Sequence, residues 1–83
     1  MRIVFTSRAW ADHTSWQDDR KMLRRVNRLI LDAARDPVAG VGKPQPLAHN
    51  LSGFWSRRIT YEHRLVYRVV GDDLIVVQVR YHY

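Results

Sequence analysis

Arg58, Arg64 and His82 are the residues of this chain best suited to chemistry, because fixed positive charge and an imidazole are what metal-free RNA cleavage requires. RNA supplies its own nucleophile, the 2′-hydroxyl. A protein then needs a group to receive or orient that hydroxyl, cations for the pentacoordinate phosphate, and an acid for the leaving 5′-oxygen. Arg64 suits the charge clamp, since a guanidinium stays ionised and matches phosphate geometry. His82 suits the acid, as an imidazole titrates near neutrality. Tyr83, Tyr81, Phe54 and Trp55 offer faces for unstacked bases.

Other chemistries are poorly served. The four histidines show no His-x-x-x-His spacing, and no carboxylate stands three or four residues from one of them on a shared helix. With no cysteine there are no disulfides, thiolate nucleophiles or thiolate metal sites. Neither a glycine-rich phosphate loop nor a nucleophile elbow occurs. No metal and no cofactor are expected.

Composition sets the bounds. A chain of 83 residues with 46% apolar content is expected to form one domain, residues 1–83, with one modest core. Fourteen Lys and Arg against eight Asp and Glu leave a net charge of +6, which favours a polyanion such as RNA or an acidic protein segment. Arg2 to Thr6 is too short an apolar run for a secretory signal, and no window approaches the ~20 apolar residues of a membrane span. Cytoplasmic residence without membrane association is the expectation.

The elements that position these residues follow from periodicity. Ile3 and Phe5 alternate with Arg2, Val4 and Thr6, predicting a short first strand half buried against a helix. Ser7 is a candidate N-cap for a helix from Arg8 to about Gln17. Asp18 and Asp19 can cap a second helix, in which Met22, Leu23, Val26, Leu29, Ile30 and Ala33 recur at three- and four-residue steps. Its other face holds Arg20, Lys21, Arg24, Arg25, Arg28 and Arg35, with an expected Arg28–Asp32 pair. Pro37 ends the helix, because the residue before proline resists the α conformation. A long ordered loop runs to Gly53, and the prolines flanking Gln45 fix its backbone there.

Three strands follow, Phe54 to Thr60, His63 to Val70 and Leu74 to His82, joined by short turns. Alternation turns Ile75, Val77, Val79 and Tyr81 towards the helices, and Leu74, Val76, Gln78, Arg80 and His82 away. In the preceding strand Leu65, Tyr67 and Val69 form the apolar set, leaving Arg64, Val66 and Arg68 opposite. The predicted architecture is α+β, two N-terminal helices on one face of an antiparallel sheet with a basic open face on the other. Convergence of Arg58, Arg64 and His82 on that face is inferred, since parity within strands does not fix register between them.

The segments GKPQPLAHNLSGFWSRRIT, EHRLVYRV and the terminal RYHY resemble the YoeB branch of the RelE/ParE toxin superfamily, and the similarity runs essentially the whole length. The resemblance implies a microbial-ribonuclease-like α+β fold and a toxin that cuts messenger RNA, chiefly in the ribosomal A site. It also implies neutralisation by an acidic, partly disordered YefM-like antitoxin, whose complex binds operator DNA, and allows a homodimer.

By position, the family's phosphate-stabilising arginine falls on Arg64, its general acid on His82, its C-terminal aromatic on Tyr83 and a supporting arginine on Arg58. Lys43, His49, Trp55, Arg57 and Arg80 are further candidate RNA contacts. Two positions depart from the family pattern. Its catalytic glutamate is here Gln45, and a basic residue is Ala48; a carboxamide accepts no proton at neutral pH. Gln45 is expected to orient the 2′-hydroxyl, with Glu62, His49 or the terminal carboxylate as alternative bases. The contrasting reading is a weakened nuclease kept for antitoxin binding and operon control. A gyrase-directed role is disfavoured by the terminal Tyr-His-Tyr.

Overall fold

A computed structural model describes residues 1–81 of the chain. Helix α2 (Arg20–Arg35) shows most directly how sequence dictates place. Asp19 caps it by accepting the Met22 N–H at 3.1 Å, and Val26, Leu29, Ile30 and Ala33 are its buried stripe. Burying Val26, Leu29 and Ile30 contributes roughly 1.5–3 kcal/mol each. Helix α1 (Ser7–Ser15) starts one residue earlier than expected, because Thr6, not Ser7, is the cap: its Oγ1 accepts the Ala9 N–H at 3.1 Å. The helix also ends before Gln17. Asp32 is bonded by Arg35 and Arg57, in place of the expected Arg28 pairing. No helix among the described residues is long and apolar enough to cross a membrane.

Both helices pack on one face of a five-stranded sheet made of β1 (Arg2–Phe5), β2 (Gln45–Pro46), β3 (Trp55–Arg58), β4 (Arg64–Val70) and β5 (Asp73–Gln78), in the order β1-β5-β4-β3-β2. The strands from β2 to β5 pair antiparallel, as expected. β1 adds to β5 in parallel, so the sheet is mixed. β2 and a short 3-10 turn (His49–Leu51) lie inside the stretch expected to be irregular loop.

The face assignment of β5 needs correction. Leu74 and Val76 are buried in the core, whereas Ile75 and Val77 are half-buried on the other side. The cause is a β-bulge: Tyr67 pairs with Val76 and Val66 with Gln78, so Val77 is an extra residue. An extra residue inverts parity, and Val79 beyond it returns to the core as predicted. No single alternation fits both halves of that segment. The strand also ends at Gln78, since Tyr81 adopts φ +65° and bends the chain.

Candidate nucleic-acid interface

Cross-strand pairing builds the site on the helix-free face. In β3 the side chains of Trp55 and Arg57 face the helices, so Ser56 and Arg58 face away. Arg58 pairs directly with Arg64, and Ser56 pairs with Gln45 on one side and Val66 on the other. Val66 in turn pairs with Gln78. Gln45, Ser56, Val66 and Gln78 therefore form one row across four strands, with Arg58 and Arg64 in the next row on the same face. By strand spacing the Cα atoms of Gln45 and Arg58 are about 8 Å apart.

Arg64 is held at the β3–β4 corner, where its Nη1 donates to the carbonyls of Thr60 (2.6 Å), Tyr61 (3.0 Å) and His63 (3.1 Å). Its backbone N–H donates to the Tyr81 carbonyl at 3.0 Å. Gln78 Nε2 donates to that same carbonyl at 2.9 Å and to the Arg80 carbonyl at 3.0 Å, while His63 Nδ1 accepts the Tyr81 N–H at 2.8 Å. These bonds deliver the residue preceding His82 to the flank of Arg64. His82 and Tyr83 themselves lie outside the described residues.

Of the other candidates, Lys43 is exposed at φ +54° beside Arg58, whose N–H donates to the Gly42 carbonyl at 2.6 Å. His49 is exposed in the 3-10 turn, and Glu62 is exposed in the corner that holds Arg64. Arg68, which was not among the candidates, lies over the Phe54 ring at 5.3 Å and extends the cationic face.

Three candidates are placed elsewhere. Trp55 pairs with Tyr67 on the helix side and packs against the core. Arg57 is 0% exposed, with Nε donating to Tyr67 Oη (3.0 Å) and Nη1 to Asp32 Oδ2 (2.6 Å). Arg80 stacks over Trp16 at 4.0 Å and donates to Ser15 Oγ at 2.8 Å, because β5 ends at Gln78 and strand alternation no longer fixes the direction of a residue beyond it. None of these three contributes to the open face. Backbone and side-chain hydrogen bonds, first from the Val41 N–H and then from Arg35 and Arg57, hold the Asp32 carboxyl at a pKa of about 2.

Sequence reading missed the residues that bind positions 79–81. Gln78, His63, Asp12, which accepts the Val79 N–H at 3.1 Å, and Trp16, whose Nε1 donates to the Val79 carbonyl at 2.9 Å, all do so. The available signal was Gln78 itself, one amide in the run LIVVQV. No group of three or more potential metal ligands is gathered among the described residues.

With this geometry in hand, the fold defines a class first. The chain superimposes on a YoeB/ParE toxin from Agrobacterium tumefaciens with a TM-score of 0.96 and 50% identity over 100% of both chains. Two Staphylococcus aureus structures, a heterotetrameric YoeB–YefM toxin–antitoxin complex and a YoeB dimer, match at 39% identity with TM-scores of 0.89 and 0.90, covering 100% of this chain and 98% of each of those. A toxin YoeB from Streptomyces coelicolor is 60% identical over 84 residues, covering 100% of both chains. A profile of the YoeB-like toxins of bacterial type II toxin–antitoxin systems matches residues 5–83, and the chain belongs to that family.

Proposed function

We propose that this toxin is a metal-independent endoribonuclease that cuts messenger RNA on the ribosome, chiefly at the A site. The observation that carries the reading is the bond from the Arg64 N–H to the Tyr81 carbonyl, which supports a meeting of the chain end with the Arg58–Arg64 pair. In the proposed step the 2′-hydroxyl oxygen attacks the adjacent phosphorus and the bond to the 5′-oxygen breaks, leaving a 2′,3′-cyclic phosphate. Gln45 orients the hydroxyl, whose proton leaves to solvent. Arg64 and Arg58 neutralise the phosphorane, Tyr83 stacks on a neighbouring base, and His82 protonates the leaving oxygen. Lys43 and His49 extend the phosphate track.

The acidic, YefM-like antitoxin proposed as the neutralising partner suits the basic face by charge, and the S. aureus complex supports such a pairing. That complex would in turn bind operator DNA. The S. aureus dimer supports a homodimer of the free toxin, and the working compartment is the cytoplasm.

Mapping 5′ ends of mRNA after induction tests the activity: cuts within codons are expected for the wild type and none for His82→Ala. Gln45→Glu is expected to raise the cleavage rate and add an acidic limb to its pH profile, since a carboxylate accepts the proton that a carboxamide does not. Unchanged rate and profile would place the base elsewhere. The alternative, a weakened toxin kept for antitoxin binding and operon control, is favoured by Gln45 alone. Expression of the chain separates the two, because an active nuclease arrests growth.

A further inference from the structure

We infer that Arg57 is a positioning residue for the RNA-facing loop, fastening residues 36–41 from the opposite side of the sheet so that Lys43 and Gln45 are held in register; this rests on the function proposed above. A guanidinium carries five N–H donors, and in Arg57 all five are used. Nε donates to Tyr67 Oη, Nη1 to Asp32 Oδ2 and the Val41 carbonyl (3.1 Å), and Nη2 to the carbonyls of Asp36 and Ala39 (2.9 Å). The fastening is extended at both ends. Tyr67 Oη donates to the Pro37 carbonyl at 2.6 Å, and Asp32 Oδ2 accepts the Val41 N–H at 2.9 Å.

Val41 at the end of the stretch packs against the core, but apolar packing does little for the residues before it, since Val38 is 58% exposed and Ala39 and Gly40 are also exposed. A loop without a hydrophobic anchor over those residues stays ordered through its backbone bonds. The approach is so close that a Cβ at Gly40, where φ is +121°, would lie 2.0 Å from Asp32 Oδ2. Immediately afterwards Arg58 N–H takes the Gly42 carbonyl, and Gln45 and Pro46 enter the sheet opposite Ser56 and Trp55. The carbonyls bound by Arg57 thus end four residues before Gln45. One arginine side chain sets the loop from behind while its neighbour Arg58 receives it in front.

The test uses the purified full chain with Arg57→Lys, Tyr67→Phe, Asp32→Asn and Gly40→Ala, and Val26→Ala as a variant that weakens the core without touching the fastening. Lysine keeps the charge but offers three donors. Two quantities are read where every variant is folded by near-UV circular dichroism: hydrogen exchange of the 38–46 segment, and kcat and KM for mRNA cleavage on programmed ribosomes. Expected are local exchange faster by about tenfold or more and kcat lower by about ten- to a hundredfold in the fastening variants, with Val26→Ala unchanged in both once folded. Tyr67→Phe and Asp32→Asn keep the test decisive if Arg57→Lys fails to fold.

Unaltered exchange in all folded fastening variants overturns the inference. So does faster exchange with unchanged kcat, which would leave the nuclease reading standing. A wild type that cuts no RNA sinks that reading and the positioning role with it, and the exchange arm then reports loop fastening alone.

Discussion

Arg57 turns into the helix-covered side of the sheet, where Tyr67, Asp32 and three backbone carbonyls use its five donors, while Arg58, the next residue, stands on the exposed face opposite Arg64. The two side chains are chemically identical. What separates them is one step of strand parity, which decides between a buried charge that must be fully bonded and an exposed one free to meet phosphate. The basic character of this family member therefore has two origins. Part of it orders the chain, and part faces the proposed substrate.

The same substitution at both positions exposes the difference. Arg57→Met takes a buried guanidinium from the half-buried Asp32 carboxylate and strips donors from three carbonyls, so a loss of about 3 kcal/mol or more in unfolding free energy, about 1 kcal/mol for each unsatisfied carbonyl, is expected by urea titration. Arg58→Met is expected to stay within about 0.5 kcal/mol while lowering cleavage. Equal destabilisation at the two sites would erase the comparison. Next in size is Arg64→Ala, for which a fall in kcat of about 10²–10³ is expected from loss of phosphorane stabilisation, with Arg64→Lys intermediate. Cleavage within tenfold of wild type would remove Arg64 from the mechanism.

Sequence reading reached the architecture because α2, β4 and the antiparallel pairing of the last strands rest on strong periodicity. It reached the pairing of Arg58 with Arg64 only as a convergence, since register depends on partner strands. Arg57 was misread for a physical reason. Charged residues are rarely buried, so composition argued for solvent, although Trp55 and Ile59 at i±2 marked its face as the core face. The β5 faces were misread because a bulge leaves no composition signal and Val77 looks like any other strand valine, and Arg80 because the strand ends two residues before it. His82, the chosen acid, lies outside the described residues.

The chain end offers a smaller test. Gln78 is 6% exposed, and its amide serves the carbonyls of Arg80 and Tyr81. Gln78→Leu keeps volume but removes both bonds, and a loss of about 1–3 kcal/mol is expected, chiefly from the Arg80 carbonyl, since that of Tyr81 keeps the Arg64 N–H. Cleavage should fall by more than the folded fraction does, because the residue before His82 then sits beside Arg64 with one bond fewer, keeping those to the Arg64 N–H and His63. A drop that merely tracks the folded fraction would show the amide to be structural only.

The mildest effect is electrostatic and belongs to the Arg57 side. Asp32 has its pKa lowered from 3.8 to about 2, chiefly by the Val41 N–H and then by bonds from Arg35 and Arg57. A folded pKa below the unfolded one means that, as pH falls, the unfolded chain takes up the proton first. The contribution is therefore complete above about pH 4 to 5 and is lost as pH falls towards 2. Asp32→Asn carries no such proton, so its urea midpoint should fall less steeply between pH 5 and pH 2 than that of the wild type, while starting lower at neutral pH. Arg58→Met should keep the wild-type slope, because Arg58 is not among the groups that hold the Asp32 carboxyl down. Parallel acid limbs for wild type and Asp32→Asn would mean that the carboxylate contributes nothing specific to holding the loop, and the contrast between the two arginines would then rest on carbonyl bonding alone.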